Sequence, residues 1–123
     1  MKVIHIITDL DTGGAEIMLY KLLSSLHDEA LNSTVISLMG RGKITERIEA
    51  LGVKVETLDL GQGERPSWQT IKKLRQFMRA FNPDIVQGWM YHGNIAATVA
   101  VFLFDPMRRK VKLFWNVRQT LYD

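Results

Sequence analysis

Residues 8–16 read TDLDTGGAE, two carboxylates and a hydroxyl leading into a glycine pair and then a glutamate. Gly13 and Gly14 let the main chain bend sharply and let a ligand lie against the backbone. A helix starting there would present unpaired amides and the positive end of its dipole, which suits a phosphate or pyrophosphate. The plainer reading is a strand-to-helix turn, with Thr12 as the cap and Glu16 complementing the dipole. Asp9 and Asp11, at i and i+2, have the chemistry to hold a cation or orient an acceptor hydroxyl, and equally that of turn-forming aspartates. The dinucleotide pattern G-x-G-x-x-G and the Walker pattern are both missing; Gly40-Arg41-Gly42-Lys43 lacks the first glycine and the final Ser/Thr.

Tyr91, His92 and Asn94 form a second group, just past an apolar run that ends at a glycine. His92 suits a cleft wall or a hydrogen-bonded loop. No partner stands at ligand spacing, so no metal site is expected. Asn116 and Arg118 alternate with Trp115 and Val117 and so share one face at the end of the last apolar run. Arg118 is suited to a phosphate or an acidic acceptor, and equally to solvent. His5 lies inside an apolar run and reads as structural, and His27 as a helix-end cation. Trp89 and Trp115 read as core or cleft lining. Arg108-Arg109-Lys110 and Lys112 read as a solvated basic run, with contact to an anionic membrane face as the alternative.

The elements that must position these residues come from periodicity. Residues 3–7 are apolar with little alternation, a strand buried on both faces. Ala15, Met18, Leu19, Leu22, Leu23 and Leu26 make one helical stripe. Residues 33–39 read as a strand, 44–51 as a short helix closed by Gly52, and 53–58 as a third strand. After the loop at 61–66, Ser67 is an N-cap. Ile71, Leu74, Phe77, Met78 and Phe81 then form a stripe that Asn82-Pro83 ends. Residues 84–88 read as a fourth strand. A helix from Tyr91 or Gly93 to about Phe104 and a strand over 111–117 complete the chain. The order βαβαβαβαβ predicts an α/β class, a three-layer α/β/α Rossmann-like sandwich with a parallel sheet in the order 3-2-1-4-5. Ligands in such sheets bind beyond the carboxyl ends of the strands where the order reverses, here between the first and fourth.

The 123 residues suit one domain. A net charge of +3 falls short of a nucleic-acid signature, so no nucleic-acid partner is expected. The absence of cysteine excludes disulfides and fits a reducing compartment. The start MKVIHII is no secretory signal, and no run reaches the roughly 18 apolar residues of a membrane span. A cytoplasmic location is therefore expected, with peripheral attachment to the inner membrane face left open.

TDLDTGGAE and the leucine-rich helix after it resemble the GT-B fold glycosyltransferases, in particular family 4, whose first strand runs into Gly-Gly-x-Glu. GRGKITERIEALGVKVETL is similar to the segment after their second strand. FNPDIVQGWMYHGNIAA resembles their fourth strand and the loop after it, where Pro-Asp-Ile-Val and Met-x-His-(Ala/Gly)-Asn are common. The matches run in register over nearly the whole chain.

That resemblance implies a two-domain enzyme with the two halves facing across a cleft. The N-terminal half mainly holds a hydroxyl acceptor, and the other holds a sugar nucleotide. Gly13 and Gly14 would lie near the donor diphosphate. Tyr91, His92, Gly93 and Asn94 would line the cleft, with Asp11, Thr12 and Glu16 on its acceptor side. The sugar nucleotide is a substrate, and neither cofactor nor metal is implied. Polysaccharide or glycolipid assembly is the expected setting. Many members carry a histidine just after the fifth strand; here Asn116 or Arg118 would take its place. The expectation is an incomplete, acceptor-side N-terminal half, inactive alone, whose last strand forms an edge prone to self-association. The rivals are a small nucleotide-binding module and a receiver-like signalling domain. The latter would use Asp9 and Asp11 as its acidic pair and Asp59 as phosphoacceptor, but 116–122 lacks the lysine it needs.

Overall fold

The computed structural model describes residues 2–10, 14–26, 32–60, 67–105 and 111–116, with the backbone alone for Tyr91, Trp115 and Asn116. Strands β1 (Val3–Ile7), β2 (Ser33–Ser37), β3 (Lys54–Thr57), β4 (Ile85–Trp89) and β5 (Lys112–Asn116) alternate with helices α1 (Ala15–Ser25), α2 (Thr45–Glu49), α3 (Trp68–Phe81) and α4 (Met90–Phe104). The sheet order is β3-β2-β1-β4-β5, as the element pattern predicts, and every pairing is parallel. β1 is central, which explains why it is apolar at every position but His5: Ile4, Ile6 and Ile7 are fully buried.

Alternation along the strands divides the core into two layers. Ile4, Ile6, Ile36 and Val86 pack with Leu74 and Met78 of α3 and with Ala97, Ala100 and Val101 of α4. Ile7, Val35 and Trp89 pack with Leu19 and Leu23 of α1 and Ile48 of α2. Each fully buried leucine or isoleucine contributes about 1.5–3 kcal/mol relative to exposure.

Ser67 caps α3 as its position suggests. Its Oγ accepts from Thr70 N at 3.3 Å, and Thr70 Oγ1 accepts from Ser67 N at 3.4 Å. Asn82 closes the helix in the left-handed conformation, φ 56°, with its N–H bonded to Met78 O at 2.8 Å. Proline at 83 then blocks continuation.

The junction after β4 is tighter than expected from a strand ending at 88 and a helix opening at Tyr91 or Gly93. The strand runs to Trp89 and α4 begins at Met90. One residue makes the turn: Met90 sits at φ 67°, a conformation that costs a non-glycine residue energy. Tyr91, His92, Gly93 and Asn94 are therefore helical. Two glycines allow α4 to lie so close. A Cβ on Gly93 would come 2.6 Å from Ile6 O, and one on Gly88 would come 2.6 Å from Asn94 Cα. β1 has the expected bounds, whereas β2 and β3 are shorter than expected at their ends. Beyond β2, Leu38 and Met39 still donate to Ile7 O and Thr8 O, at 3.0 and 3.1 Å.

Candidate functional site

The chain order reverses between β1 and β4, and both strands deliver a helix at their carboxyl ends. α1 starts at Ala15 with Gly14 as its N-cap (φ −90°, ψ −27°); Met18 N donates to Gly14 O at 3.0 Å. Gly14 is exposed and has no side chain to cap the first amides. α4 starts directly after β4, which pairs with β1 in the register Ile6↔Gly88 and Ile7↔Trp89. Two helix N-termini, one on each face of the sheet, thus open at the same end of the adjacent strands β1 and β4, the arrangement that gives anions a foothold in α/β proteins.

The structure places some of the expected residues at this end of the sheet. Gly14 stands at the α1 cap, His92 is exposed on the first turn of α4, and Asn94 is half-buried one turn into that helix. Asn94 does not simply face outward: its Oδ1 is the atom that a Cβ on Gly88 would strike at 2.6 Å. Glu16 is 1% exposed, far more buried than a carboxylate serving only the helix dipole. Asp11, Thr12, Gly13 and Arg118 lie outside the described residues, as do His27 and the run 108–110; Tyr91 and Asn116 are placed by backbone, in α4 and β5.

Thr8 is a residue that the sequence pattern does not single out. Among the described residues, Thr8 Oγ1 and Asn94 Oδ1 are buried and make no hydrogen bond. One follows β1 and the other lies beside the end of β4. Leaving such an atom unsatisfied costs about 1–3 kcal/mol, and a ligand hydroxyl or a water would recover it. The signal in the sequence is positional: Thr8 is the first polar residue after a buried central strand.

His5 and Trp89 lie beneath this end of the sheet. Trp89 Nε1 donates to His5 Nδ1 at 3.0 Å, and both residues are buried. Burial pushes the imidazole down to about 4 from an ordinary 6.5. The ring is therefore neutral, with its proton on Nε2. The pair is structural, as expected for His5, and it anchors the end of β4 to the middle of β1.

The topology also separates the groups a receiver needs. β3 is an edge strand, two strands removed from β1, so Asp59 stands apart from Asp9. Receivers use the order 2-1-3-4-5, which puts the third strand beside the first. Asp59 is exposed, accepts from Thr57 Oγ1 at 3.0 Å and lies 3.9 Å from Lys73 Nζ.

Comparison with known families agrees with the sheet. The sequence model described as Glycosyltransferase Family 4 matches residues 12–120. Among curated proteins, none matches the chain.

Proposed function

The chain belongs to glycosyltransferase family 4, and from that premise we propose that it forms the acceptor-side, N-terminal domain of an enzyme that moves a sugar from a nucleoside diphosphate to a hydroxyl. The observation that carries this reading is the pair of helix N-termini, α1 and α4, opening together where the strand order reverses. In it, Gly13 and Gly14 bring main-chain amides to the donor diphosphate. His92, Asn94 and Tyr91 form the cleft wall, with Asp11, Thr12 and Glu16 toward the acceptor and Asn116 or Arg118 beside the transferred sugar. Thr8 joins the polar floor. Catalysis is shared with a donor-holding domain across the cleft, whose basic groups would offset charge on the departing phosphate. Polysaccharide or glycolipid assembly is the proposed setting.

Gly14→Asp tests the phosphate assignment without threatening the fold. Gly14 is exposed, and a carboxylate at a helix start favours the dipole, so stability should hold or rise by a few tenths of a kcal/mol. The same charge repels a diphosphate; discounted for solvent, it should weaken binding by about tenfold. Calorimetric titration with uridine, guanosine and adenosine diphosphosugars should give heat with at least one of them, much reduced in the variant. Equal affinity in both proteins would remove the glycines from the donor site. No heat across the series would mean that the donor is held by the other domain without these glycines.

A further inference from the structure

Nothing within α4 fixes where it begins. Its cap residue, Trp89, makes no side-chain cap bond, and its first turn has no acidic residue to meet the dipole. Gly93 in that turn lowers the helix propensity. The helix has no aspartate, glutamate, lysine or arginine to anchor its surface by ion pairs. The residues it turns outward, Ile95, Val99 and Phe102, are apolar. The chain must also change faces of the sheet at this point. Trp89 packs in the layer with α1, whereas α4 packs in the other layer. Met90 makes the change in a single step, in the left-handed region at φ 67°, where a residue with a side chain is strained.

Two adjacent residues of β1 hold this turn from either side. Before it, Trp89 Nε1 donates to His5 Nδ1 at 3.0 Å, with the ring centres 6.0 Å apart and the planes tilted by 52°. After it, Gly93 lies so close to Ile6 O that a Cβ would come within 2.6 Å. His5 and Trp89 are each 3% exposed, so water cannot replace the bond between them. A buried hydrogen bond and a left-handed residue with a side chain are of similar energy, so the one can hold the other. We propose that His5 is a positioning residue: through Trp89 it holds the Met90 turn, and with it the first turn of α4 that carries His92 and Asn94. Without the bond, Met90 relaxes to negative φ and that first turn opens. The remainder of α4 stays packed through Ala97, Ala100 and Val101. The consequence for sugar transfer rests on the proposed function; the hold on the turn does not.

Amide hydrogen exchange along α4 tests this in the free chain, with no ligand required. Amides 93–96 are the first that the helix ladder engages, and 98–101 lie in the part packed on the core. Trp89→Phe and His5→Leu each remove the bond. Each should speed exchange at 93–96, relative to 98–101, by about tenfold. His5→Gln keeps an acceptor for the indole and should stay within about twofold of the parent. In a Met90→Gly background the left-handed turn carries no strain, so His5→Leu should speed the same amides by less than about threefold. The comparison is internal to one helix, so a uniform loss of stability does not imitate it. Equal acceleration along the whole of α4 would mean that the pair only adds stability, and would overturn the proposal. So would unchanged exchange at 93–96 in both variants, no rescue by glutamine, or the full effect surviving in the glycine background.

Discussion

Gly93→Ala should lower the urea midpoint of unfolding by the equivalent of about 3 kcal/mol. The added methyl would stand 2.6 Å from the carbonyl oxygen of Ile6 and 3.3 Å from Ile7 Cα, both main-chain atoms of the central strand. Backbone cannot swing aside as a side chain would, so α4 must lift off β1. Helix propensity opposes this: alanine in place of glycine inside a helix gains about 1 kcal/mol. The clash wins because relief requires displacing a helix that shares a core with three strands. Gly40→Ala is the control, since its methyl would meet only Asp59 Oδ1 at 3.7 Å, an ordinary contact, and should leave the midpoint almost unchanged. The lift would also carry His92 and Asn94 away from the end of β1, so Gly93→Ala should impair ligand binding even where it still folds. An unchanged midpoint would mean that α4 is not seated on the sheet as described.

Acid should weaken the fold through His5 by about 3 kcal/mol, from the ordinary value of 6.5 down to about 4. Proton counting gives the sign. In the folded chain the ring is neutral and Nδ1 accepts from Trp89 Nε1, a bond that an imidazolium could not make. The unfolded chain takes up a proton as pH falls through 6.5, while the folded chain takes one only near 4. The contribution is therefore complete above 6.5, declines across that window and is lost below it. Carboxylates also titrate there, so the measurement is a difference: denaturant unfolding of the parent against His5→Gln, which keeps an acceptor for the indole. The parent should show the steeper pH slope. Parallel slopes would mean that the imidazole is not buried as a neutral acceptor.

The fold was legible because its signals are local. The shift from an apolar run at 3–7 to a stripe starting at Ala15, the breaks at Gly40 and Gly52, and the cap at Ser67 are read within a few residues each. They suffice for element order, and crossover rules then give strand order. What escaped depends on distant partners or on one dihedral. His5 and Trp89 are 84 residues apart, so their hydrogen bond has no local trace. Met90 carries no mark of the left-handed turn it makes, and a glycine would have been the natural guess. That turn joins β4 to α4 directly, where a short loop before a helix from Tyr91 or Gly93 was expected. The burial of Glu16 was hidden for the same reason, since first-turn glutamates ordinarily face solvent. The outward apolar face of α4 was equally obscure: a helix apolar all round reads as buried on every side, and the sheet covers only one.

The site is the place where local pattern and family resemblance contributed different things. Spacing alone placed Gly13 and Gly14 between a strand and a helix and left turn and phosphate readings level. Resemblance assigned the role, and the strand order put Gly14 and the start of α4 at the same end of two adjacent strands. Backbone amide shifts of the labelled chain, titrated with a nucleoside diphosphate sugar, measure that neighbourhood most directly. Gly14, Ala15 and Glu16 should move together with residues 90–94, while Lys2, Asp84 and Lys112 at the far end of the strands stay fixed. Movement confined to that far end, or at neither helix start, would contradict a donor site built on the two helix N-termini.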